Sequence, residues 1–226
     1  MKIKKTYWWI VVTVIGFALA CAMKVEADMK ENAPLSGVVI VVDPGHGGKD
    51  DGARAEGVKE QDINLAISMK LKSALETQGA KVILTRDGAY DLASEGAKNR
   101  KKEDMRKRAD IINAEPVDLF ISVHLNAYAN TSIHGAHAFY RKDDVASIEL
   151  AEEIQKEFNA LTGVEKEKKS GDYFILNETN RPGVLVECGF LSNADDREKL
   201  CDKGYQTKLA DAITRSILSY LHVLTI

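Results

Sequence analysis

The sequence predicts one α/β domain, with a twisted, mostly parallel or mixed central sheet and helices on both faces. Three observations predict it. Several short runs are solidly apolar and β-branched, as strands buried on both faces must be. Those runs alternate with longer segments whose apolar residues recur at helical spacing. The balance of 45% apolar and 29% charged residues over 226 positions suits a single packed core, and no internal repeat interrupts it.

The elements follow in order. Residues 38–42 are a continuous apolar run stopped by Asp43-Pro44-Gly45, a strand ending at a turn. Segment 60–78 places Ile63, Ala66, Ile67, Leu71, Ala74 and Leu75 on one helical face, and Gly79 closes it. Residues 81–85 form the next strand. Segment 102–113 reads as a helix with Met105, Ala109 and Ile112 on one side. Residues 119–123 are a third buried strand and 135–140 a fourth, followed by a helix over 145–161 that ends before Gly163. Residues 184–186 open another buried strand. The chain closes with a helix over 206–224, with Leu209, Ile213, Ile217 and Leu221 in register. The strands near 38, 81, 119 and 184 are expected as neighbours in the sheet centre. Sites in such sheets gather beyond the carboxyl ends of the strands.

The N-terminus is of another kind. Lys2, Lys4 and Lys5 precede an uncharged apolar run over 8–23. Residues 1–23 are therefore expected as a signal peptide or an N-terminal membrane anchor, since the run is shorter than the ~20 residues of a full span. Residues 24–37 are polar and turn-rich and read as a linker, and 38–226 as the folded domain. In either case the domain works outside the cytoplasm. The net charge of −3 and the lack of a basic stripe argue against a nucleic-acid partner. The basic runs 98–102 and 166–169 read as solvated faces. Cys188 and Cys201 could pair in such a compartment, but Cys188 closes an apolar run and reads as a small buried hydrophobe.

Chemistry-bearing side chains gather where the central runs end. His46 follows the first strand through a Pro-Gly turn, His124 directly follows the third, and Glu187 directly follows 184–186. Glu60 starts the helix after the first strand. Two imidazoles and one carboxylate suit a catalytic Zn²⁺ with one position left for water. A second carboxylate that is not a ligand suits a general base. Each residue alone has a plainer reading. His124 is readable as a core histidine, and Glu60 as a helix N-terminal acid favoured by the macrodipole. The glycine-rich stretch 45–48 is readable as a phosphate loop, but Lys49 is followed by Asp50 rather than by Ser or Thr. Glu187 resists a plain reading, because a carboxylate after three buried apolar residues is costly unless paired. His137 and His222 read as structural. His134, in a loop near the expected site, is a candidate substrate contact. Asp43 and Asn126 are candidates for supporting the metal or, with more weight, for turn roles.

Four blocks carry a resemblance: Val42-Asp43-Pro44-Gly45-His46-Gly47-Gly48, then Glu60, then Ser122-Val123-His124-Leu125-Asn126-Ala127, then Val184-Leu185-Val186-Glu187-Cys188-Gly189-Phe190-Leu191-Ser192-Asn193. In this order they resemble the zinc-dependent N-acetylmuramoyl-L-alanine amidases, over roughly residues 38–224. Met105, Arg108 and Asn113 fit the helix that precedes the second histidine in that family. The resemblance implies that His46, Glu60 and His124 are ligands to one Zn²⁺ per chain. It implies Glu187 as the catalytic acid/base and 38–226 as an amidase catalytic domain acting on peptidoglycan. The stretch Asp91-Leu92-Ala93-Ser94-Glu95-Gly96, the bare architecture and the short segment 125–186 resemble most the germination-specific branch. That branch frees muramic acid of its peptide in spore cortex so that muramic-δ-lactam can form. A membrane contact through an uncleaved leader and an activating protein are the further partners to expect. A zinc peptidase acting within the stem peptide, or a non-catalytic wall-binding module, are the rival readings.

Overall fold

The computed structural model describes residues 7–10, 12–19, 21, 24, 32–114 and 116–221. His222, residues 1–6, 11, 20, 22 and 23 of the expected leader and residues 25–31 of the expected linker lie outside these residues. Among the described residues no helix is long and apolar enough to cross a membrane.

Among the described residues, eight strands and six helices follow from residue 39. They are β1 Val39–Pro44, β2 Arg54–Ala55, β3 Val58–Lys59, α1 Glu60–Thr77, β4 Lys81–Leu84, α2 Arg100–Asn113, β5 Leu119–Asn126, β6 His137–Tyr140, α3 Val145–Thr162, β7 Lys169–Ser170, α4 Phe174–Asn177, β8 Gly183–Phe190, α5 Ala194–Cys201 and α6 Lys203–Tyr220. The main sheet runs β4-β1-β5-β8-β6-β7. The pairs β4-β1, β1-β5, β5-β8 and β6-β7 are parallel, while β6 lies antiparallel to β8. The sheet is thus mixed and mostly parallel, and the four strands expected at its centre are consecutive neighbours, although β4 lies at the edge and not in the centre.

The period-two alternation of the strands sorts the two faces. Ile40, Val42, Ile121, Val123, Val184 and Val186 join the larger core with α1, α3 and α6. Val39, Val41, Phe120, Phe139 and Leu185 join a smaller core with α2 and α4. Continuing the same alternation places Asp43, Ser122, His124, His137 and Glu187 on the α2/α4 face. His124 lies directly opposite Glu187 in the β5-β8 register, and Glu187 directly opposite His137 in β8-β6. Each polar residue therefore falls on one face because it sits an even number of positions from an apolar residue of that face.

Two expectations change. The strand opened by 184–186 runs on to Phe190 and is buried throughout, so Glu187 sits inside it rather than at its end. The basic run 166–169 is not uniformly solvated. Lys166 donates to the Gly135 carbonyl and stands 4.6 Å over the Phe190 ring, so its stem is packed. Cys188 is buried and Cys201 exposed, and both are free.

Candidate active site

His46 sits in the turn after β1 with φ 62°, a left-handed conformation that a non-glycine residue adopts at a cost. The turn is held by two buried arginines. Arg108 donates to the carbonyls of Pro44 and His46, and Arg86 to those of Pro44, Gly45 and Gln61. Gly45 is required by close approach: a Cβ there would lie 2.3 Å from Cε1 of His124. The glycine lets the turn fold against the neighbouring strand, which brings the two imidazoles to a ring separation of 5.0 Å at 77°.

Glu60 is the first residue of α1 and only 3% exposed. Its Oε1 lies 3.2 Å from His46 Nε2 and 3.1 Å from His124 Nδ1. The same oxygen accepts from Leu125 N at 3.0 Å and Asn64 Nδ2 at 3.2 Å, while Oε2 accepts from Ala53 N at 2.8 Å. Burial raises the Glu60 pKa, but the hydrogen bonds and charges of His124 and His46 bring it far below the usual carboxylate range. One ligand atom from each of His46, Glu60 and His124 lies within 4.8 Å of the others. A nitrogen, nitrogen, oxygen set of this size fits a divalent transition metal such as zinc.

Glu187 is 7% exposed, and its Oε2 is buried with no hydrogen-bond partner among the described residues. Burial drives its pKa up to about 7, against the lowering effect of His124 and His46 and with the support of Glu60. A buried carboxylate left without a donor has no structural reason to exist. A cavity of about 160 Å³ opens beside the cluster, and His46, His124, Lys101, Met105, Tyr173 and Phe174 are among its walls.

The chain is similar to known proteins over most of its length. The family model for N-acetylmuramoyl-L-alanine amidase matches residues 40–219. The chain belongs to the N-acetylmuramoyl-L-alanine amidases. The germination-specific N-acetylmuramoyl-L-alanine amidase of Bacillus subtilis (strain 168) is 39% identical over 192 residues, covering 83% of this chain and 81% of that protein. The CwlD amidase from Clostridioides difficile, solved in complex with the GerS lipoprotein, superposes with a TM-score of 0.79 at 38% identity, covering 83% of this chain and all of that one. The catalytic domain of CwlV, an N-acetylmuramoyl-L-alanine amidase from Bacillus (Paenibacillus) polymyxa, gives a TM-score of 0.73 at 30% identity over 82% of this chain. The enzyme is thus a cell-wall amidase that acts on peptidoglycan.

Some of the candidate site was not read from sequence. Asp50 stands 3.1 Å from His46 Nδ1, on the ring edge away from Glu60, and so fixes the ring's orientation. Asn64, one turn along α1, ties Glu60 to the Gly45 carbonyl. The i, i+4 spacings of His46 to Asp50 and Glu60 to Asn64 were the available signals. His134 is in the loop between β5 and β6, and among the described residues no hydrogen bond or ion pair joins it to His46, Glu60 or His124. The Asn126 side chain, at the end of β5, accepts from Ala127 N.

Asp43 does not take the turn role favoured for it. Its buried carboxylate accepts from Arg108 at 2.7 Å, Thr85 Oγ1 at 2.6 Å and Ser122 Oγ at 2.7 Å, so it braces the arginine that holds the His46 turn. Burial raises its pKa, and Arg108, the two hydroxyls and His124 more than reverse this, leaving it below the usual value. Asp43→Asn takes from Arg108 one of its two carboxylate partners and leaves Asp104 at 2.9 Å, so the cost should stay below the about 3 kcal/mol of a fully broken buried pair. A carboxyl whose folded pKa is depressed stabilises fully above its unfolded value of ~3.9 and loses that contribution as pH falls through the folded value. The stability gap between wild type and Asp43→Asn, measured by urea unfolding, should therefore be full at neutral pH and shrink below about pH 4. A gap constant into acid would show that the carboxylate charge is not what Arg108 needs.

Proposed function

We propose that the amidase hydrolyses the amide between the lactyl group of muramic acid and L-alanine, with His46, Glu60 and His124 holding one Zn²⁺ and Glu187 serving as acid and base. The observation that carries the reading is the buried, unpartnered Glu187 carboxylate in register with His124. A bound zinc would polarise the amide carbonyl and lower the pKa of water towards ~7. Glu187, with a pKa near neutrality, accepts the proton of the attacking water and returns it to the departing amine nitrogen of L-alanine. Asp50 keeps the His46 ring in the tautomer that presents Nε2 to the cluster. The Arg108-Asp43 brace keeps the strained His46 backbone in place.

The spore cortex is the proposed setting, because the similar Bacillus subtilis enzyme is germination-specific. The leader would export the chain to its substrate, cleaved or as an anchor. An activating protein is a proposed partner, given that CwlD was solved with a lipoprotein. The test is mass spectrometry of peptidoglycan digested by the purified, zinc-analysed enzyme. Free peptides beginning at L-alanine are expected, whereas peptides cut internally would make the enzyme a peptidase. Spores lacking the gene should lack muramic-δ-lactam, while chained cells with a normal cortex would place the enzyme in division.

A further inference from the structure

Tyr173 is a packed ring, with an unused hydroxyl, among the residues that line the cavity beside the cluster. It lines the same cavity as His46 and His124. It caps α4 on the sheet face that carries His124 and Glu187, packed against the smaller core. Its ring meets Phe139 edge-on at 5.4 Å and 70°, and Phe139 in turn packs at 4.4 Å on His137, whose Nε2 is 2.8 Å from the Glu167 carbonyl. The chain before it closes tightly on the same ring: a Cβ at Gly171 would lie 2.4 Å from it. Packing of this kind removes the rotamer freedom of the side chain. The hydroxyl at its end makes no hydrogen bond to any described residue. Other hydroxyls of this region are in use, Thr85 and Ser122 on Asp43 and Tyr90 on Asp87. Burial, with smaller contributions from Glu187 and Tyr128, pushes the Tyr173 phenol up to about 12, so the group carries its proton at neutral pH and remains a donor.

Amide hydrolysis builds negative charge on the carbonyl oxygen, and a pre-positioned donor lowers the barrier only if it meets that oxygen. We propose that the Tyr173 hydroxyl donates a hydrogen bond to the oxygen of the scissile amide as the oxygen gains charge. The inference rests on the proposed amide hydrolysis at the His46, Glu60, His124 and Glu187 cluster. Tyr173 is then a catalytic residue supplied by the segment between β6 and β8, and no proton leaves it during the reaction.

Tyr173→Phe removes one oxygen atom and keeps the ring that packs on Phe139, so the fold is not at risk. The variant is compared with wild type for zinc content, kcat and KM on a defined muropeptide. Its affinity for a phosphinate analogue that mimics the tetrahedral geometry at the amide carbon is measured beside these. The expected result is a fall in kcat of about 10²-fold with KM little changed, and a similar loss of phosphinate affinity. Zinc content and the thermal midpoint should match wild type. An unchanged kcat overturns the proposal and leaves Tyr173 as an apolar wall. A rise in KM alone also overturns it, because the hydroxyl would then touch substrate away from the reacting carbonyl. Loss of zinc with the loss of rate overturns it in favour of a structural role. If wild type itself releases no peptide beginning at L-alanine, the assigned reaction fails and this inference falls with it, whereas active wild type beside equally active Tyr173→Phe removes only the role of Tyr173.

Discussion

Replacing His46 or His124 with alanine is expected to abolish zinc binding and hydrolysis together. A catalytic zinc site has three protein ligands, and either change leaves one imidazole and one carboxylate. The fold should survive. Glu60 keeps its bonds from Ala53 N, Leu125 N and Asn64 in either variant, and both histidines are partly solvent-exposed. Asp50→Ala supplies a graded control, because Asp50 touches the cluster only at His46 Nδ1. Removing an orienting partner of this kind costs about 10–100-fold in metal affinity, so excess zinc should restore Asp50→Ala and not His46→Ala. Metal analysis after gel filtration and initial rates against added zinc decide the matter. Stoichiometric zinc in either histidine variant would remove that residue from the ligand set.

The central sheet was legible because its strands are buried on both faces and read as unbroken apolar runs. The same property exposed the candidate site. His124 and Glu187 are the residues at which an apolar run turns polar, and parallel register sets them side by side. What escaped were short or polar elements. The β2-β3 hairpin has two residues a side, and α4 has four, too few for any period to show. Helix α5 is mostly charged and is held by its caps and by the single core residue Leu200, too little for a period to show. Asn193 accepts from Asp196 N, and Asp196 in turn accepts from Gly135 N and Phe190 N. Asn113 and Arg108 were recognisable as a pattern without a physical role. Arg108 holds the His46 turn, and Asn113 clamps the loop after α4 through Glu178 O and Asn180 N. Such side-chain-to-backbone bonds across distant loops leave no periodic trace in sequence. Tyr173 stands before the four-residue α4, in a segment with no period to read.

Glu187→Gln is expected to keep zinc and fold while catalysis collapses, and Glu60→Gln to lose zinc as well. The difference follows from what each carboxylate holds. Oε2 of Glu187 has no donor facing it among the described residues, so an amide group of the same shape meets no conflict there. Glu60 faces donors on both sides, Ala53 N at Oε2 and Leu125 N with Asn64 Nδ2 at Oε1. Whichever way a glutamine amide turns at position 60, its NH₂ points at an N–H, and the anionic ligand is gone. A positioned acid/base is worth roughly 10²–10⁴-fold, and Glu187 would act twice, at attack of water and at departure of the amine. The loss in kcat for Glu187→Gln should therefore lie at or beyond the upper end of that range. Metal content and single-turnover rates of both variants at one pH make the comparison. If Glu187→Gln sheds its zinc while Glu60→Gln retains it, the two carboxylates exchange roles.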